Sequence, residues 1–127
     1  MITSSYAALL GLIYVFLSFR IIGLRRNFKV ALGDGGHPSL LRAIRVHANF
    51  AEYAPFALLL IFFVESRLAP VGFIHFLGLL LLIARLMHAW GVGQDNEVMY
   101  RRQIGMVGTF CVLILASSYL IYHQIFY

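Results

Sequence analysis

Acidic residues are scarce in this chain: Asp and Glu number five among 127 positions, and all charged residues together make up 12%. A soluble domain carries about a quarter charged residues, so a surface that faces water on all sides is excluded. The single cysteine, Cys111, excludes an intrachain disulfide. It sits among Phe110, Val112 and Leu113, where a thiol reads as a small apolar filler. The three prolines and eleven glycines are scattered, so no linker or low-complexity tract divides the chain. A dinucleotide-binding glycine pattern, a phosphate loop and a metal-type Cys/His cluster are all absent from the sequence, and no solenoid-like repeat recurs. The chain reads as one domain, residues 1–127, with no metal and no soluble tail.

What is there is hydrocarbon. Hydrophobic residues make up 61% of the chain, and the mean hydropathy is +0.86. Since an apolar run of about 20 residues crosses a bilayer, the composition predicts an all-α integral membrane four-helix bundle. The spans fall at Ser5 to Leu24, Leu40 to Val64, Pro70 to Trp90, and Ile104 to Tyr122 or a little beyond. The first run follows no basic segment and is long for a signal peptide, so it reads as a retained helix. Ser4 and Ser5 are candidate caps for the first helix, and Pro70 suits the first turn of the third. Gly33, Asp34, Gly35, Gly36 and Pro38 predict an irregular first loop; Gly91, Gly93, Asp95 and Asn96 predict the same for the third.

The formal charge of +5 does not indicate nucleic acid, because the basic residues alternate with the spans. Nine of the ten lie near the first or third loop: Arg20, Arg25, Arg26, Lys29, Arg42, Arg45, Arg85, Arg101 and Arg102. Only Arg67 belongs to the second. By the positive-inside rule loops one and three are cytoplasmic and both termini lie outside, with Tyr122, Phe126 and Tyr127 as an outer interfacial belt.

Against this background the segment Arg45-Val-His-Ala-Asn49-Phe-Ala-Glu52-Tyr53-Ala-Pro55 stands out. At about 100° per residue on a helix, Arg45, Asn49 and Glu52 fall within roughly 60° of one another. Arg42 and Tyr53 flank the stripe, and His47 points away as a packing or inter-helix hydrogen-bonding residue. Charged groups within a membrane face a bundle interior or a wet cavity and usually carry function. On the residues alone, a structural Arg–Glu pair and a binding site both remain open. Arg85, Arg101 and Arg102 add cations on the same side of the membrane, and Arg85 reads either as a further site arginine or as the neutralising partner of Glu52. A four-helix monomer has little interior for so many charges. Small residues that permit close helix approach recur at Gly72, Gly78, Gly105, Gly108 and Ala116. Together these predict an oligomer whose protomers wall the polar site.

The pattern Arg45-x-x-x-Asn49-x-x-Glu52-Tyr53-x-Pro55 in a second helix resembles the MAPEG family, the membrane-associated proteins in eicosanoid and glutathione metabolism. Arg102-Gln-Ile-Gly105-Met-Val-Gly-Thr109 resembles the Arg-x-x-Gly-x-x-x-Thr pattern of its bacterial branch, and Arg25-Arg26-Asn27-Phe28 resembles the basic end of helix one. The resemblance covers essentially the whole chain. It implies a homotrimer in the bacterial inner membrane that binds glutathione between protomers near the cytoplasmic side.

Glutathione carries two carboxylates, an ammonium and a thiol. Carboxylates call for the planar donor fork of arginine, an ammonium for a carboxylate, and a peptide amide for a group that donates and accepts. By resemblance, Arg45, Asn49, Glu52 and Tyr53 bind glutathione, with Arg26 and Arg42 as further candidates for its carboxylates. Arg102 would stabilise the reactive thiolate, while Arg101 reads as an interfacial anchor. The expected function is a glutathione transferase or peroxidase acting on lipophilic electrophiles from the bilayer. The alternative is a non-enzymatic lipid-binding or scaffold protein of the same fold; a pure scaffold needs neither Glu52 nor Arg102. Where eukaryotic members carry site tyrosines, this chain has His88, Trp90 and Met106, with Tyr100 just before the arginine pair. The stripe does not continue into the outer half of the membrane, which argues against an ion path.

Overall fold

In a bilayer every backbone polar group must find its partner within the chain, so long apolar runs become helices. A computed structural model of the protein, describing residues 1–93 and 99–127, has four: α1 (Ile2–Phe28), α2 (Pro38–Ser66), α3 (Val71–Gly93) and α4 (Met99–Phe126). Each is long and apolar enough to cross a membrane. α2 and α3 form the centre. α1 lies against both on one side, α4 lies against both on the other, and the two outer helices do not touch. The core is a seam of small and branched residues. Along α2 it runs Val46, Phe50, Ala54, Ala57, Ile61 and Val64, at spacings of three and four that keep one face inward. It meets Leu10 and Leu17 of α1, Leu77 and Leu81 of α3, and Val112 and Ala116 of α4.

α1, α2 and α4 run beyond the predicted spans at both ends, and α3 at its C-terminal end only, because polar end residues still continue the backbone ladder outside the hydrocarbon. Ser4 and Ser5 are inside α1 rather than capping it; the Ser4 hydroxyl donates back to Met1 O at 2.6 Å. The cap comes from another helix. Glu65, at the end of α2, accepts the Ile2 amide at 2.5 Å and the Thr3 amide at 2.8 Å, satisfying two of the orphan donors of a helix start. Pro70 precedes α3 instead of lying in its first turn, and its carbonyl accepts the amides of Phe73 and Ile74.

The first loop is irregular as expected. Gly33, Gly35 and Gly36 all have positive φ, and the Gly36 amide donates to Asp34 Oδ1 at 2.8 Å. The third loop differs. Gly91 and Gly93 belong to α3, while Asp95 and Asn96 lie outside the described residues. Both glycines are there for close packing, since a β-carbon on Gly91 would stand 2.6 Å from the Arg102 amide nitrogen and one on Gly93 would stand 2.5 Å from the Arg20 guanidinium. Gly78, Gly105, Gly108 and Ala116 likewise serve contacts within the chain, whereas Gly72 meets nothing. Cys111 is on the outer surface rather than filling the core, since the inward position beside it is held by Val112.

Candidate functional site

The polar site grows from one buried cation. Arg85 of α3 is 1% exposed, and no carboxylate faces it among its hydrogen-bond partners. Its Nη2 donates to Asn49 Oδ1 of α2 at 2.5 Å and lies 3.4 Å from His88 Nδ1; its Nη1 donates to Thr109 Oγ1 of α4 at 3.3 Å. Nε has no partner, and the guanidinium sits 5.8 Å from the Phe50 ring centroid. Thr109 can accept because its own proton goes to Gly105 O at 2.8 Å. Gly105 in turn lets α4 approach α3, since a β-carbon there would stand 2.6 Å from His88 N and Cβ. The spacing of Gly105 and Thr109 thus has a structural cause: one admits the neighbouring backbone, the other delivers a hydroxyl to Arg85 one turn later.

These contacts revise the polar stripe of α2. Asn49 turns inward and spends its oxygen on Arg85, which therefore does not neutralise Glu52. Arg45 and Glu52 are exposed on the outside of the single chain. The roughly 60° arc of the helix wheel straddles the boundary between core and surface, so one edge of the stripe is inside and the other outside. Tyr53 is half-buried, its ring edge-to-face with Phe110 of α4 at 5.8 Å.

A second group forms at the basic end of the bundle. Arg45 and Arg42 of α2 and Arg102 of α4 border one cleft of about 260 Å³ with Pro38, Leu41 and Val92. Two helices distant in sequence thus bring three guanidinium groups to one hollow. Arg42 also donates to Val92 O at 3.3 Å, and Arg20 of α1 donates to Gly93 O at 2.5 Å. Two cations therefore cap the carbonyl end of α3, where the helix dipole favours positive charge. Arg101 turns away from the cleft and stacks over Trp90 with its Cζ 3.4 Å from the ring centroid. Arg26 is apart, beside Arg25 and Lys29 in a separate depression at the end of α1.

His47 packs between helices as expected: it is 3.0 Å from the Ser18 hydroxyl and stacks on Tyr14 with centroids 4.6 Å apart. His75 meets the Tyr6 hydroxyl at 2.8 Å and His37 stacks on Phe28 at 3.9 Å, so both are tied into packing. The positions that sequence reading missed are Gly91 and Arg20. Gly91 seats the backbone of Arg102, and Arg20 anchors the end of α3. A glycine ahead of a polar loop looks like a breaker, and only the neighbouring helix reveals otherwise.

The family profile described as MAPEG family matches residues 3–121. Two similar proteins, both called inner membrane protein YecN, come from Escherichia coli strain K12 and Escherichia coli O6:H1. Each is 39% identical over 115 residues, covering 91% of this chain and 86% of the relative. A profile match over nearly the full length and a relative of that identity lead to one conclusion: the chain belongs to the MAPEG family.

Proposed function

We propose that the protein is a glutathione transferase of the inner membrane, working as a homotrimer, with loops one and three cytoplasmic and both termini outside. The observation that carries this reading is the cleft in which Arg102 of α4 meets Arg45 and Arg42 of α2. Forked donors at that density suit a small dicarboxylate, as glutathione is. Glu52 supports the trimer. It lies ~21 Å along α2 at 1.5 Å per residue, deep in the span and facing outward, where an ionised group against lipid is costly. A neighbouring protomer that covers it would convert the surface formed by Arg45, Glu52 and Tyr53 into an interface, with the glutathione ammonium against the carboxylate. Asn49, its oxygen held by Arg85, offers glutathione only its Nδ2 donor. Arg26 would reach the ligand only across such an interface.

In the reaction the glutathione thiol loses its proton to solvent and the thiolate, held against the Arg102 guanidinium, attacks an electrophilic carbon. A carbon–sulfur bond forms and the leaving group departs with the bonding electrons; for an aryl halide that is halide ion. A free thiol has a pKa of about 8.5 and is mostly protonated at neutral pH, and an adjacent cation shifts it toward thiolate.

The test compares neighbouring arginines. Adding glutathione to the trimer at neutral pH should produce the ultraviolet absorbance of a thiolate. Arg102→Ala should abolish that signal and slow conjugation of an aryl halide about tenfold or more, the equivalent of one pKa unit. Arg101→Ala, whose side chain stacks on Trp90, should leave both nearly unchanged. Equal losses from the two would replace a defined thiolate site by a diffuse basic patch, and no loss from either would favour the scaffold reading.

A further inference from the structure

The opposite end of the bundle holds, among the described residues, a single arginine or lysine: Arg67, at the C-cap of α2. It borders two depressions. On one side Phe63, Leu120, Ile121 and Ile125 wall a groove of about 500 Å³ between α2 and α4. On the other, Tyr119, Tyr122 and His123 line a hollow of about 350 Å³ together with Leu68 and Tyr127. A mostly apolar groove, with Gln124 as its one further polar residue, therefore meets a cation that also borders the phenols of the hollow. Both volumes lie in the range of sites that hold small ligands, about 300–1,000 Å³. Leu68 adds to the mouth: its left-handed backbone, φ 57°, leaves the side chain 92% exposed.

Among the described residues, no Asp or Glu side chain is left to pair with Arg67. The acid two residues before it, Glu65, spends both oxygens on the Ile2 and Thr3 amides of α1, on the far side of α2 from the groove. A second copy does not solve this either. A cyclic oligomer in a membrane presents the same residues at the same depth, and the next acid along α2, Glu52, is ~22 Å away at 1.5 Å per residue. A phosphate from the surrounding membrane is available at this level. A guanidinium fork matches its oxygens bidentately, phenol hydroxyls donate at the head-group boundary where tyrosine concentrates, and the groove below takes hydrocarbon.

We propose that Arg67, with Tyr119 and Tyr122, binds the head-group phosphate of an anionic phospholipid whose acyl chain occupies the α2–α4 groove lined by Phe63, Leu120 and Ile121. This site is separate from the arginine cleft and does not depend on glutathione chemistry.

The test uses the full chain purified in mild detergent, with phosphatidylglycerol and phosphatidylcholine added in turn, and native mass spectrometry and thermal unfolding as readouts. The parent should retain phosphatidylglycerol in preference to phosphatidylcholine, and gain thermal stability from it, as a folded state does from any selective ligand. Arg67→Gln should lower that preference about tenfold, the scale of one charge-assisted hydrogen bond. Arg26→Gln, at the other end, should leave it unchanged. Ile121→Trp, which fills the groove and keeps the charge, should reduce retention of both lipids, so the proposal stays testable if Arg67→Gln fails to fold. Soluble glycerol phosphate should not replace the lipid, because it lacks the chain that fills the groove. Equal retention of the two lipids by the parent, or unchanged preference in Arg67→Gln, would overturn the proposal. So would loss of the oligomer in Arg67→Gln with lipid retention intact, which would make the face a contact between copies.

Discussion

Replacing Asn49 by alanine should destabilise the bundle far more than its half-buried position suggests. The Asn49 oxygen is the shortest contact of a guanidinium that is 1% exposed, at 2.5 Å, whereas Thr109 and His88 stand at 3.3 and 3.4 Å and Nε has no partner. Hydrogen bonds between neutral groups in membrane bundles average about 0.6 kcal/mol, because the separated helices find other partners. A buried charge is different. Hydrogen bonds to charged groups are worth about 1.5–3 kcal/mol, and removing the partner of a buried ion costs about 3–5 kcal/mol. Arg85 keeps its weaker contacts, so the low end, about 3 kcal/mol, is expected, or ~10 °C in Tm for a chain of this size.

Thermal unfolding in detergent, followed by circular dichroism, measures it. Thr109→Val provides the scale: it removes the longer, 3.3 Å contact to the same guanidinium and should cost about 1.5 kcal/mol, the low end for a bond to a charged group. In Asn49→Ala with Arg85→Met the buried charge is gone too, so the double variant should be more stable than the sum of the two single losses. Were Asn49→Ala to unfold within 1–2 °C of the parent while glutathione binding fell, Asn49 would be a ligand residue and the buried network incidental; such a shift is well under 1 kcal/mol at the usual conversion.

Further outcomes follow from other parts of the molecule. Glu52→Gln keeps shape and removes charge, so it should weaken glutathione binding about tenfold or more, seen by calorimetric titration, with the trimer intact on size exclusion; unchanged affinity would make Glu52 structural. Gly105→Ala places a β-carbon 2.6 Å from the His88 backbone, and such overpacking should cost about 1–3 kcal/mol, read as a lower Tm; Gly72→Ala, which meets nothing, should be near neutral. Reporter fusions after Lys29 should behave as cytoplasmic and fusions after Tyr127 as external, following the charge bias between loops; a cytoplasmic C-terminus would invert the placement of the site.

Four helices, their order and each boundary to within about five residues were legible because hydrocarbon leaves the backbone no alternative, and a run such as Leu79-Leu-Leu-Leu-Ile83 can hardly be read otherwise. The family was legible for a related reason: Arg45, Asn49 and Glu52 are conspicuous in a chain with so little charge, and Arg102, Gly105 and Thr109 add a second, different motif on α4. Residue spacing, however, gives only angles about one helix axis. Whether Asn49 or Glu52 faces the core depends on where α3 lies, and a rotation of some tens of degrees separates a buried oxygen on Arg85 from an exposed carboxylate. The same holds for the glycines. Gly91 and Gly93 look like loop residues until the Arg102 amide and the Arg20 guanidinium are seen to approach them. The cap of α1 came from Glu65, more than 60 residues away, rather than from the adjacent serines. Contacts between distant segments depend on three-dimensional packing, and no local pattern encodes them; the meeting of Arg45 with Arg102 across α2 and α4, on which the proposed chemistry rests, is of that kind.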